Sequence, residues 1–105
     1  MNLLSLLSEL IDALDVLIRA ISDPLQQAQL VKLRECFEAM SDSAVHQLFD
    51  TTSQDFKDAT IALGSATTAA KQGVSDVGKV ASAINSAVTA ANAVDKILGF
   101  LAHIA

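Results

Sequence analysis

The chain has 105 residues, of which 51% are hydrophobic, and its formal net charge at pH 7 is −5. Its hydrophobic content is too high for an intrinsically disordered protein, and one proline with four glycines cannot supply the turns of a β-rich domain. The negative charge argues against binding to nucleic acid, which requires a basic surface, so we expect a single all-α domain over residues 1–105.

Residues 2–21 are predicted to form the first helix. Their apolar side chains recur at alternating spacings of four and three, which places them on one face of a helix. The stripe consists of Leu3, Leu7, Leu10, Leu14, Leu17 and Ile21. Because polar residues occupy the opposite face, this helix is expected to pack one side against a core.

The sequence Ser22-Asp23-Pro24 predicts a sharp turn and the start of a second helix. Proline disfavours helical geometry in the residue before it, whereas it suits the first position of a new helix. Asp23 is a good N-cap for that helix, which should end at about Met40. So short a link predicts that residues 1–40 form an antiparallel helical hairpin.

This hairpin resembles the helix–Ser-Asp-Pro–helix hairpin of type III secretion needle subunits. The likeness runs from Ile11 through Ser22-Asp23-Pro24 to Leu33. It implies a hairpin of the kind that serves helical assemblies. The chain continues through residues 43–105, beyond the point at which needle subunits end, so the resemblance covers the hairpin alone.

Residues 43–105 are predicted to form a long amphipathic segment that starts from the capping residues Ser41-Asp42-Ser43. An unbroken heptad frame from Val45 to Ala105 carries no charged residue. Residues 59–105 hold only two acids and three bases, against ten acids and four bases in residues 1–58. The apolar face is wider than a two-stranded coiled coil requires, so we expect other helices to cover it.

Two interpretations of this segment stay open. A single helix from 43 to 105 would be about 90 Å long. Alternatively, the helix breaks near residues 73–76, where Lys71 lies in a last turn and Gly73 can adopt a left-handed cap. The break would give a kinked helix pair and a bundle of three to four helices, and we favour it for an isolated monomer because helices of the full length are rare.

Small residues dominate the stretch from Gly64 to Ala93. They allow two helices to approach closely, either inside one domain or between copies in an oligomer. The outward positions of the long segment are mostly polar, and Ile61 is one of the exceptions. The sequence does not decide between the two packing arrangements.

Few side chains suggest chemistry, and we expect no catalytic, cofactor or metal site. Cys36 and His46 lack the glycine-rich elbow and orienting group that accompany a nucleophile and its base, so Cys36 is interpreted as a buried structural thiol. Asp42, His46 and Asp50 share one helix face but have no evident fourth metal ligand. His103 is expected to be solvated near the C-terminus.

Targeting signals are not evident. The first residues lack a basic region, and acids such as Glu9 and Asp12 interrupt their apolar stretch, so no secretory signal peptide is expected. No run of about 20 apolar residues predicts a transmembrane helix. We expect a cytoplasmic protein or one exported by a signal-independent route.

The pattern favours a non-enzymatic helical protein that acts by self-association, as a homo-oligomer, or by docking on a helix of a partner. The alternative is a membrane-active protein, such as a pore-former or toxin component, that exposes its weakly charged C-terminal half at a bilayer. An enzyme has no support because no acid, base and nucleophile converge. The predicted contact set is Val77, Val80, Ile84, Val88, Ala91, Val94, Leu98 and Leu101.

Overall fold

The computed structural model describes residues 2–47 and 49–98, and within them it consists of four α-helices with no strand. The helices are α1 (Leu3–Ala20), α2 (Pro24–Ala44), α3 (Gln54–Ser75) and α4 (Val80–Leu98), and a short 3₁₀ turn at Val77–Lys79 leads into α4. The predicted all-α class and helical bundle are therefore confirmed.

The four helices pack in the cyclic order α1, α2, α4, α3. Helix α1 packs against α2 and α3, and α4 packs against the same two helices. The connection from α2 to α3 therefore crosses one end of the bundle. At that end the Gln47 Nε2 donates a hydrogen bond to the Leu98 carbonyl, with a length of 3.5 Å.

The predicted turn between α1 and α2 forms as its capping chemistry requires. The Asp23 carboxylate accepts a hydrogen bond from the Leu25 N–H at 3.0 Å, and Pro24 is the first residue of α2. The side-chain amide of Gln27 reaches back to donate to the carbonyls of Ile18 and Ile21. These hydrogen bonds satisfy backbone carbonyls at the end of α1 and a backbone N–H at the start of α2. They hold the antiparallel hairpin closed.

The predicted start of a third helix at residue 43 is wrong. Helix α2 continues through Ser41-Asp42-Ser43 to Ala44, whose side chain is buried. Asp50 then accepts hydrogen bonds from the backbone N–H and the hydroxyl of Thr52, which folds a turn. Helix α3 begins only after Ser53, whose hydroxyl accepts from the Phe56 N–H at 3.2 Å.

The helical conformation is interrupted between α3 and α4, which excludes a single helix over residues 43–105. The break falls at Asp76, where the backbone is extended and the carboxylate accepts from the Gly78 N–H at 3.0 Å. Gly73 is not the predicted left-handed cap but a helical residue inside α3. Leu17 of α1 packs directly against Gly73, so the absence of a side chain there makes room for this contact.

The core combines the bulky side chains of α1 and α2 with many alanines and a few larger side chains of α3 and α4. Leu7, Leu10 and Leu14 of α1 are fully buried, as are Leu30 and Phe37 of α2. The matching buried positions of α3 and α4 are Phe56, Ala59, Leu63, Ala66, Ala70, Val80, Ala83, Ala87, Ala90, Val94 and Leu98. Most of the charge-free heptad stripe is thus covered by helices of the same chain.

A partly exposed ion pair joins the polar edges of α1 and α2. The Arg34 Nη1 lies 2.6 Å from the Asp15 Oδ1, and the Glu38 carboxylate approaches the same guanidinium from the next turn at 3.8 Å. The Asp15 hydrogen bond is the main reason that the pKa of Arg34 is raised. The ion pair therefore links α1 to α2 along the edge where the two helices meet.

Candidate interaction surface

The predicted contact set is divided between core and solvent. The side chains of Val80, Val94 and Leu98 are buried in the core of the bundle. Two others, Val77 and Val88, are exposed at 76% and 44%. The interruption at residue 76 turns α4 back so that its buried positions pack against α2 and α3.

The remaining members of that set have intermediate positions. Ile84 and Ala91 are half-buried and pack against the core, while Leu101 lies outside the described residues. Contact of Val77 or Val88 with a partner stays a prediction.

The local environment of the single cysteine raises the pKa of its thiol. Cys36 is half-buried against the core. Burial, with a smaller contribution from the Asp95 carboxylate, raises the pKa of the thiol. A thiol with a raised pKa is a poor nucleophile, because the thiolate is the reactive species.

The residues considered as metal ligands do not converge. Within residues 2–47 and 49–98, no group of three or more His, Cys, Asp or Glu side chains could hold a metal ion. The carboxylate of Asp50 instead serves the turn described above, and the hydrogen bonds from Thr52 lower the pKa of Asp50. His103 lies outside the described residues.

A different surface emerges on the outer side of α3 and its junction with α4. A groove of about 400 Å³ between these helices is continuous, through Ile61 and Ser65, with a shallow depression along α3. We call this surface the α3–α4 face; it comprises Thr60, Ile61, Ala62, Gly64, Ser65, Thr68, Ala69 and Gln72 of α3 with Asn85, Ser86 and Thr89 of α4. Asp58 marks one edge of the groove.

The α3–α4 face contrasts in charge with the opposite side of the bundle. Residues 59–70 and 80–94 contain no ionisable side chain. The outward positions of α1 and α2, by comparison, are rich in exposed acids, namely Glu9, Asp12, Glu35, Glu38 and Asp42. The bundle therefore presents an acidic side and an uncharged side.

Two residues on the α3–α4 face are poorly explained by the fold alone. Ile61 is a large apolar side chain exposed at 67%. Gly64 lies in the middle of α3, where a glycine costs about 1 kcal/mol relative to alanine. A Cβ added at Gly64 would meet nothing within 4 Å. Neither a crowded neighbour nor a turn within the described residues therefore requires glycine there.

The sequence pattern singled out Ile61 and Gly64 separately, but it did not place them on one surface. Ile61 stood out as apolar on an outward-facing position, and Gly64 opened the stretch of small residues. Their juxtaposition follows from helical spacing, since residues three apart lie on the same face. Only the structure shows that this face is left uncovered by the described residues.

Comparisons with protein-family models, with curated proteins and with solved structures find no match to this chain. Within the described residues, no helix combines the length and apolar character needed to cross a bilayer.

Proposed function

We propose that this protein is a non-enzymatic helical assembly or interaction protein, and that its α3–α4 face receives a helix of another polypeptide. The observation that carries the proposal is the pair formed by exposed Ile61 and unobstructed Gly64 on an uncharged surface. Contact through this face requires no opening of the bundle.

Helix packing gives this pair its significance. The distance between two packed helices is set by the side chains at their crossing point. A glycine at that point removes the Cβ, so a second helix can approach the backbone of α3 closely. Gly64 thus makes α3 less stable in the free chain, but it leaves room for a second helix to pack closely against α3.

Ile61 would supply the apolar contribution. It lies at the rim of the groove and adjoins the open surface of Gly64. Completing its burial would contribute up to about 2 kcal/mol to association. The surrounding serine, threonine and asparagine side chains are polar but uncharged, so desolvating them does not bury an ion.

Site-specific photo-crosslinking in the cells that naturally make the protein tests this proposal. A photoreactive amino acid placed at Ile61 should form an adduct heavier than a single chain. Leu25 is the matched control, because its side chain is equally large and 70% exposed but lies at the start of α2. Thr68, which lies on the same face, is a second position for the photoreactive amino acid. If neither position 61 nor position 68 gives an adduct heavier than a single chain, the proposal is overturned.

A further inference from the structure

We infer that a groove between α1 and α3 binds an amphipathic helix of another polypeptide, with basic side chains on the flank that faces α1 and acidic side chains on the flank that faces α3. This inference goes beyond the proposed function, because the groove shares no residue with the α3–α4 face. Three features support it: the shape of the groove, its apolar floor and the opposite charges of its two walls.

The shape of the groove suits a helix. It has a volume of about 330 Å³ and is lined by Glu9, Asp12, Ala13 and Val16 of α1 with Lys71 and Val74 of α3. Between Glu9 and Val16 the axis of α1 advances about 10 Å, which is about two helical turns. A groove of this length between two helices matches a recurring mode of recognition, in which a third helix places apolar anchors three and four residues apart along the groove.

The floor of the groove is apolar and partly open to solvent. Val16 and Val74 are exposed at 46% and 40%, and Ala13 between the two helices is buried. Leu17 and Gly73, which follow Val16 and precede Val74 in the sequence, are in contact. The two valines therefore belong to turns at which α1 and α3 meet. An apolar side chain laid over both would remove their exposed surface from water, which favours binding.

The two walls of the groove carry opposite charges. Glu9 and Asp12 are three residues apart and lie on one face of α1, and Lys71 lies on the α3 side. All three side chains are exposed. Within residues 2–47 and 49–98, none of the three forms an ion pair. Their charges are therefore available to a partner on both sides of the apolar floor.

This arrangement of charge selects the chemistry of the partner. A helix with basic side chains on both flanks would bring one of them against Lys71. A helix with acidic side chains on both flanks would bring one of them against Glu9 and Asp12. Like charges that meet across an interface reduce affinity. A helix with opposite charges on its two flanks complements both walls, and the walls then also determine its direction.

Fluorescence anisotropy with the purified full chain tests this inference at about 0.15 M salt, which screens non-specific attraction. The probe is a labelled, hydrocarbon-stapled helical peptide of about two heptads. It carries leucine along the apolar stripe, lysine on one flank and glutamate on the other. This mixed-flank peptide should bind the wild type with a dissociation constant below about 100 μM.

Two otherwise identical peptides test the contribution of each wall. The peptide with glutamate on both flanks should bind at least about tenfold more weakly than the mixed-flank peptide, and the peptide with lysine on both flanks at least about threefold more weakly. Lys71→Glu should reverse the second preference, so that lysine on both flanks then gives the tighter binding. An unchanged preference in this variant would overturn the inference.

Charge substitutions in α1 test whether the mixed-flank peptide occupies the groove. Glu9→Lys combined with Asp12→Lys should weaken its binding at least about tenfold. Glu35→Lys combined with Asp42→Lys is the matched control, because it makes the same change in net charge at exposed acids of α2. The control should keep the dissociation constant within about twofold of the wild type. Equal losses in the two double variants would overturn the inference.

A substitution in the floor tests the apolar contact. Val16→Asn should weaken binding of the mixed-flank peptide at least about threefold. Val88→Asn is the matched control, since Val88 is 44% exposed and lies on α4, outside the groove. Circular dichroism should give the same helical signal for both variants, so that lost binding is not lost folding. Undiminished binding by Val16→Asn would contradict the inference.

Failure of this inference is distinguishable from failure of the proposed function. If none of the three peptides binds the wild type at protein concentrations up to about 1 mM, the groove is not a helix-binding site and the inference is overturned. The proposed function depends on Ile61 and Gly64 and is decided separately, by crosslinking from positions 61 and 68.

Discussion

Leu17 and Gly73 fix the distance between α1 and α3. A Cβ added to Gly73 would lie 3.1 Å from the Cδ1 and 3.5 Å from the Cδ2 of Leu17, and 3.7 Å from the Cα of Val80. Leu17 is itself fully buried, so its side chain has little room to move. A side chain at position 73 would therefore have to displace Leu17 by a few tenths of an ångström.

The substitution Gly73→Val should lower the free energy of unfolding by about 1–3 kcal/mol, because it overfills this contact. Urea denaturation followed by circular dichroism measures the change. Gly64→Val introduces the same side chain into open space on the same helix, and it should not destabilise the chain. Equal destabilisation by the two substitutions would show that their packing environments do not differ as described.

The substitution Gly64→Ala should raise the free energy of unfolding by about 0.5–1 kcal/mol. It improves helical propensity at a position where the added methyl group meets no neighbour within 4 Å. The denaturation midpoint should be measured at a protein concentration low enough to exclude association. A lower midpoint than that of the wild type would contradict an open environment at this glycine.

The substitution Ser53→Ala should lower the free energy of unfolding by about 1 kcal/mol, because it removes the hydroxyl that accepts the Phe56 N–H at the start of α3. Thermal and urea denaturation provide the measurement. Ser53→Asp preserves an acceptor at the N-cap and should retain most of the stability. If alanine and aspartate behave alike, the hydroxyl does not cap α3.

Cys36 should react with a thiol-specific reagent more slowly in the folded protein than in the denatured chain. Burial, followed by the Asp95 carboxylate, raises its pKa, so less thiolate is present at a given pH. The reaction rate should be recorded between pH values of about 7 and 10. Asp95→Asn should move the native pH–rate profile part of the way back toward that of the denatured chain.

The raised pKa of Cys36 also has a consequence for stability. The denatured thiol loses its proton first, near its ordinary pKa of about 8.5. The contribution of the protonated thiol to stability is therefore complete below that pH and is lost as the pH rises through the higher native pKa. Cys36→Ser should remove this part of the alkaline destabilisation, and an unchanged pH dependence in that variant would argue against it.

Local signals in the sequence were sufficient for the first part of the fold. The 4-3 spacing of leucines in α1 and the Asp23-Pro24 cap act over one or two helical turns, so the hairpin could be predicted. The same kind of signal was misleading at Ser41-Asp42-Ser43, where capping residues are present but α2 continues to Ala44. Capping residues permit a helix to start, but the packing of neighbouring residues determines whether it does.

The candidate surface depended more heavily on tertiary structure. The heptad stripe predicted that α4 buries Val80 and Val94, but not that helices of the same chain would cover them. Likewise, the heptad frame includes Gly73 and not Gly64, but it does not show which helix packs on either glycine. Their difference arises because Leu17 packs on one and no described residue reaches the other.

The sequence by itself determined that this chain forms amphipathic helices with an acidic first half, because periodicity and charge are properties of neighbouring residues. Only the tertiary structure decided which apolar and small residues stay outside. That choice depends on contacts between segments far apart in the chain, such as α1 with α3, and such contacts leave no local signal to read.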